Sequence, residues 1–508
     1  MIKTSLFDLI HSMSMSEKRY FKLYSAKHVI GESNDYIHLF NAIDKQKTYN
    51  EEDLNSFNFV KNLSAEKNYL YRQLLKALNS YHEKLNSKTI IQNYLNNIEL
   101  LYHKGLYDQA LRIAKKALIL ARNNDLFTHE LAIKEIEAEI MSKQLLYTEA
   151  LNNIQRSEEV IKVVQNFISI QKAAMESYES GLKIGAVRSV DDKKIINKII
   201  NKKAIKTINY SMSARATMYR LSVLLAYYYL INDENNMLIY TKKLSQHYQE
   251  NTFLIEYSTI GYIFSLSSLS RAYLKKEEYK KAEKTLLLIE SIQHKYNIKA
   301  SPHIKARIFF YCINIRMEIA FSKDDYKHCE NIISNNLKEL NKHLSFIEKP
   351  ILYDCYFLFA KYFFVKGSFK KALIYSNEII NDLSFKSRKD LLAAIRLLNL
   401  LIHFELNKDF TLDYLTKNTF NYFKKRKRLF KVEDELIRFM KNQNKIQSKQ
   451  IVVDDLIQLK ERMRHWKNHK YESSPFQKFD FEYWAESKLQ NKSIINMKLD
   501  SSKLLNKL

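Results

Sequence analysis

His465 and His469 stand four residues apart, the spacing that puts two imidazoles on one face of a helix where they could share a metal ion. No third ligand lies near them in the sequence, so they are read as part of a solvated basic face. His328 beside Cys329 has the composition of a thiol–imidazole dyad. Adjacent positions on a helix point apart, however, so Cys329 is read as a packing residue. The acidic pairs Asp191–Asp192, Asp324–Asp325 and Asp454–Asp455 each open a helical pattern, where carboxylates favour the helix dipole. The glycines of "GLKIGAVRS" lack the spacing of a phosphate-binding loop, and neither HExxH nor GxSxG occurs. Cys312, Cys329 and Cys355 are odd in number and have no CxxC spacing, which argues against a disulfide framework or a zinc site. The expectation is a non-enzymatic chain with no catalytic, metal or cofactor site.

The basic residues form a better pattern. The net charge is +26, a value that points toward nucleic acid or an anionic membrane. Lys194, Lys198, Lys202 and Lys206 recur every four residues in "DDKKIINKIINKKAIK", a cationic stripe opposite isoleucines on one expected helix. Lys424, Lys425, Arg426, Lys427 and Arg428 form a second run. Both are candidate polyanion contacts, against the plainer reading of solvated faces. Lysine greatly outnumbers arginine, and asparagine, isoleucine and tyrosine are abundant, so much of the charge reads as compositional bias. Bidentate phosphate recognition favours arginine.

The elements that carry these residues are helices. Only 6 glycines and 3 prolines occur in 508 residues, too few for the turns of a sheet protein, while 46% hydrophobic residues supply a large core. A single compact core is not expected at this length. The chain also repeats itself. "GLYDQALRIAKKAL" places Gly105, Tyr107, Ala110 and Ala117 at offsets that recur in "EEYKKAEKTLLLI" (Tyr279, Ala282) and "GSFKKALIYSNEI" (Gly367, Phe369, Ala372). "DDYKHCENII" has Tyr326 and Cys329 at the same offsets, and "LLYTEALNNI" has Tyr147 and Ala150. Each copy follows an apolar helical stretch. A small residue at this position lets two helix backbones approach closely, and the aromatics fill the groove between neighbours.

These residues resemble the tetratricopeptide (TPR) repeat over roughly 90–425. The segments "SEKRYFK" and "FDFEYWAESK" near the two ends are also similar to the ends of uncharacterised bacterial TPR proteins, a resemblance that implies no activity. The small anchors Ala110, Ala150, Ala282, Cys329 and Ala372 are 40, 132, 47 and 43 residues apart, longer than the ~34 of the standard repeat. The widest gap fits three steps, with Met237 as one intervening anchor and a degenerate copy near residue 193. The resemblance implies an all-α, right-handed α-solenoid of antiparallel helix pairs whose concave face is lined by the first helix of each pair. By the motif offsets that groove would include Glu99, Tyr102, Arg271, Leu274, Asn314, Glu318, Phe321, Phe357, Lys361 and Phe364.

Three regions are expected: an N-terminal helical bundle over 1–88, the solenoid over 89–425, and C-terminal helices with an aromatic tail over 426–508 that docks back on the solenoid. The bundle is read as a cap, with a DNA-binding helix-turn-helix as the alternative. In its first helices Ser14 stands three residues before Glu17, a capping-box spacing. No segment reads as a signal peptide or a membrane span, so the expected location is the cytoplasm. The expected function is a scaffold that holds a protein or peptide partner in the groove. The alternative is a nucleic-acid-binding or peptide-sensing regulator using the basic faces.

Overall fold

The computed structural model describes residues 4–26, 35–57, 60, 62–207, 212–296, 301–407, 409–443 and 449–498. Every regular element among these residues is a helix. The chain divides into two compact units, Met1–Lys162 and Val163–Leu508.

The first unit opens with α1 (Ser5–Ser12), α2 (Met15–Ala26), α3 (Asp35–Lys45), α4 (Glu51–Asn55) and α5 (Leu63–Tyr81). Leu6, Ile10, Phe21, Phe40, Leu70 and Leu74 meet in a core belonging to these five helices alone. The capping box forms: the Ser14 amide donates to the Glu17 carboxylate at 2.6 Å, and the Glu17 amide donates to Ser14 Oγ at 3.3 Å. His82, just past α5, lies 2.7 Å from the same carboxylate. Burial alone would raise the Glu17 pKa, but the hydrogen bonds from Ser14 and His82 outweigh it and hold the carboxyl below its ordinary range.

Then follow α6 (Ser87–His103), α7 (Tyr107–Asn123), α8 (Phe127–Lys143) and the 38-residue α9 (Tyr147–Ile184), which begins in the first unit and ends in the second. On α7, Ala110, Ala114, Ala117 and Ala121 are fully buried, so the small-residue stripe is the surface on which the neighbouring helices close.

The second unit continues through α10 (Val190–Ile200), α11 (Lys203–Lys206), α12 (Ala214–Leu230), α13 (Glu234–Glu250), α14 (Phe253–Tyr257), α15 (Thr259–Lys275) and α16 (Tyr279–Lys295). It goes on with α17 (Pro302–Ser322), α18 (Tyr326–His343), α19 (Lys349–Val365), α20 (Phe369–Ile380), α21 (Lys389–Glu405) and α22 (Asp409–Lys425). The last helices are α23 (Lys431–Gln443), α24 (Lys449–Lys467) and α25 (Phe481–Leu489). Helices α12/α13, α15/α16, α17/α18, α19/α20 and α21/α22 pack as consecutive pairs. The fourth residue of each second helix is buried: Met237, Ala282, Cys329, Ala372 and Leu412.

The backbone repeats more faithfully than the side chains. In the turn before each second helix one residue takes a left-handed conformation: Asn232, Glu277, Asp324, Gly367 and Asn407 here, Gly105 in the first unit. Where the turn closes, the next amide reaches back to a carbonyl five residues earlier, as from Glu278 to Tyr273 and from Ser368 to Phe363, both within 2.9 Å. This is the Schellman stop, which satisfies carbonyls the helix end leaves open. One expectation fails. The copy near residue 193 falls on the 11-residue α10, which is capped off at Asn201 and followed by the four-residue α11, so no pair of full-length helices forms there.

Candidate functional site

The residues expected to line one groove do not form one open surface. In the first unit Glu99 is exposed and Tyr102 is half-buried, its ring 5.9 Å from Tyr107. In the second unit Arg271 on α15 donates to Glu318 on α17 at 2.8 Å and to Ser267 at 2.9 Å. Burial would lower the Arg271 pKa, yet the Glu318 carboxylate holds it above the ordinary guanidinium range. Leu274 is half-buried beside it, and Asn314 is buried with Oδ1 meeting no donor among the described residues. Phe357 and Phe364 are core residues, 4% and 2% exposed. Lys361 lies over the Phe321 ring, 4.8 Å from its centroid.

The C-terminal tail covers the far end of this surface. Phe479 packs edge-on against Phe364, and Phe481 and Trp484 are buried. Trp484 donates from its indole nitrogen to Glu405 at 2.8 Å, Lys488 reaches the same carboxylate at 2.9 Å, and Lys498 pairs with Asp324. Phe364 therefore contacts the chain itself and offers nothing to a partner. Replacing Phe357, Lys361 and Phe364 together would damage the core rather than report on binding.

The cationic stripe over Lys194–Lys206 does not form one face either. Lys194 and Lys198 sit on α10, Lys206 ends α11, and the chain turns at Asn201–Lys202 between them, so the four lysines do not share one helix face. Lys194 pairs with Asp191, and half-buried Lys202 pairs with Glu176. In the second run Lys424, Lys425 and Lys427 are exposed. Arg428 turns inward, donating to Asp192 at 2.7 Å and to the Ile184 and Ala186 carbonyls at 2.9 and 2.8 Å, which caps the end of α9. Its guanidinium is engaged within the chain. Arg426 donates to the Tyr422 hydroxyl at 2.6 Å.

His328 is exposed while Cys329 is buried, so no dyad forms. His465 and His469 each lie against Trp466, with ring centroids 4.6 and 5.4 Å away. No cluster of three or more metal-ligating side chains occurs among the described residues.

Two features were not read from the sequence. In the first unit Tyr147, Leu151, Ile154 and Ile161 are all exposed on α9 at spacings of 4, 3 and 7, which places them on one helix face. Leu145 and Leu146, in the turn before it, are exposed too. The spacing was visible; what hid it was that α9 also has a buried face (Ala150, Asn153, Val160), and apolar residues around most of a helix suggest core.

The second feature lies in the second unit, a cavity of about 270 Å³ bounded by the loop after α9 and by parts of α12, α21, α22 and the tail. Beside it Arg188 makes a buried cluster. It donates to Glu433 at 2.9 Å, to Glu472 at 3.0 Å and to the Tyr471 carbonyl at 3.0 Å, with its guanidinium 4.1 Å from the Phe430 ring centroid. Gly185, at φ 76°, comes so close to α21 that a Cβ there would stand 3.2 Å from the Asp390 Cβ. Residues more than two hundred positions apart build this wall, which is why no local motif announces it.

No protein-family model matches this sequence, and comparison with curated proteins gives no match. No helix among the described residues is long and apolar enough to cross a membrane.

Proposed function

We propose that the chain is a non-enzymatic interaction scaffold, a TPR-like right-handed α-solenoid that captures a protein segment through its first unit. The observation that carries the reading is the exposed apolar face of α9, Tyr147, Leu151, Ile154 and Ile161. Contiguous exposed apolar side chains on a folded protein mark contact surfaces, and residues at i, i+4, i+7 suit an amphipathic partner helix. The groove residues Glu99 and Tyr102 belong to the same unit; those of the second unit are occupied by the chain's own contacts. The test is affinity purification from native cells with wild type and with Leu151→Asp/Ile154→Asp. A discrete protein retained by the wild type and lost by the variant, with unchanged circular dichroism, supports the scaffold. Retention by both ends the assignment to α9.

The exposed Lys424, Lys425 and Lys427 favour a second reading, polyanion binding, which would leave the scaffold reading wrong if nuclease removed every retained partner. Binding of that kind weakens steeply with salt, log K falling by about 0.9 per phosphate contact for each unit of log salt.

A further inference from the structure

The cavity of the second unit has an unbalanced wall. Its two carboxylates are already engaged: Asp390 by Arg388 at 2.8 and 2.9 Å, Glu433 by Arg188. Among its cations Lys183 pairs with Glu179, and Arg188 and Arg428 are paired as described. Lys389, Arg426, Lys470 and Lys478 also line it, and none is within ion-pair distance of a carboxylate among the described residues. Arg426 has only Tyr422, its hydroxyl at 2.6 Å and its ring centroid at 4.2 Å, and Lys470 only the Tyr471 ring, 5.4 Å away. A fifth cation, Arg396, has its guanidinium 4.3 Å from the same Tyr422 ring centroid, with Nε unpartnered. Burial first, and then the neighbouring Arg426, lower the Arg396 pKa despite the tyrosine.

Lys389, Arg426, Lys470 and Lys478 line one concavity, where Asp390, already engaged by Arg388, is the carboxylate that Lys478 acts on, so the cationic excess is left for an anion to offset. One surface lysine would be solvated singly; these four contribute to the lining of one cavity, three of them half-buried and Lys470 exposed. At about 270 Å³ the space falls just below the ~300–1,000 Å³ usual for ligand pockets, which suits a compact polyanion and not a nucleic-acid strand. Fork-shaped Arg426 beside lysine point charges is the donor set for phosphoryl oxygens.

We propose that this cavity binds the phosphoryl groups of a small di- or triphosphate, with Lys389, Arg426 and Lys478 as its contacts. The site is independent of the α9 partner surface. Inorganic pyrophosphate and ADP, each without metal, are titrated calorimetrically into the full chain at fixed ionic strength. Pyrophosphate binding at micromolar Kd, weakened about tenfold by Lys478→Gln or Lys389→Gln and unchanged by Lys194→Gln, is the expected result. ADP no tighter than pyrophosphate assigns the site to phosphate alone; ADP tighter by tenfold or more adds recognition of the organic part. Arg426→Gln is read only if its melting temperature matches the wild type, and the two lysine variants carry the test without it. Absence of binding by both probes up to millimolar concentration overturns the proposal. So does an equal loss in Lys194→Gln, which would mean diffuse surface charge.

Discussion

Phe479 stands edge-on to Phe364, the ring centroids 5.3 Å apart and the planes at 82°, with both rings buried. More than a hundred residues separate them, and their contact joins the tail to the inner side of α19. The tail is thus part of the fold of the second unit, and the surface it covers is spent on stability.

Trp484→Ala tests that conclusion. Trp484 is 1% exposed, its ring lies 5.7 Å from Phe404 and 6.0 Å from Phe439, and its N–H satisfies Glu405. Removing a buried aromatic of this size costs about 3–5 kcal/mol, because the cavity collapses only partly. The midpoint of chemical denaturation should fall accordingly. A loss under about 1 kcal/mol would mean that the tail rests on the surface.

The left-handed turn residues make a paired prediction of opposite sign. Glu277 is exposed at φ 57°, a conformation that costs a side-chain-bearing residue about 1 kcal/mol and glycine nothing. Glu277→Gly should stabilise by up to about 1 kcal/mol, less the greater entropy glycine loses on folding. Gly367→Ala, at φ 79° with nothing within 4 Å of the added Cβ, should destabilise by about 1 kcal/mol through backbone strain alone. Thermal melts of the two variants moving in the same direction would refute the common turn geometry.

Arg188 is the only cation that reaches both Glu433 and Glu472 among the described ion pairs. Arg188→Met strands two buried carboxylates, at a cost of about 3–5 kcal/mol. Adding Glu433→Gln and Glu472→Gln should restore most of it, since neutral amides need no counter-charge. An unrestored triple variant, measured by urea denaturation, would show that packing against Phe430 and not charge compensation dominates.

The three thiols should be inert in the native protein. Burial pushes the Cys312 and Cys329 thiols up to about 12, and Cys355 well above the ordinary value. All three are buried, and thiolate is the reactive form. A chromogenic disulfide reagent should titrate none at pH 8 and all three in denaturant. Fast reaction of any one in the native state would contradict its placement.

The helical class and the repeat were legible because they are local: Tyr107, Tyr279 and Phe369 each precede a small residue by three positions, and that offset survives as a buried contact. The turns were half-legible. Gly105 and Gly367 mark them, whereas Glu277 and Asp324 adopt the same backbone with side chains that give no hint of it. What sequence could not supply was the use of long-range partners. The basic run at Lys424–Arg428 looks uniform, yet Arg428 is withdrawn to Asp192 and its neighbours are not. Phe364 fell on the groove face by offset, but its neighbour Phe479 lies in a segment that no motif connects to it. Periodicity tells which way a side chain points and leaves open what meets it there.

Lys361 gives the last prediction, through its pH dependence. Burial, then the nearby Lys498, pull its pKa down from the model-peptide range of ~10.4 to about 8, with Glu318 opposing. A lysine depressed on folding gives up its proton earlier in the native state than in the unfolded chain. Between pH 8 and about 10.4 the unfolded state binds more protons, so this group's contribution to stability rises with pH. Below pH 8 the ammonium is held charged in both states and its burial costs the native state. Part of the side chain remains accessible, so that cost is about 1–2 kcal/mol and not the full equivalent of the shift. Lys361→Met should therefore stabilise the protein at pH 7, in spite of losing the contact with the Phe321 ring, and the advantage should shrink steadily toward pH 10. Urea denaturation at pH 7, 8, 9 and 10 reads the difference directly. A gap that stays constant over that range would mean that Lys361 does not titrate early; a gap that widens would reverse the sign assigned to its burial.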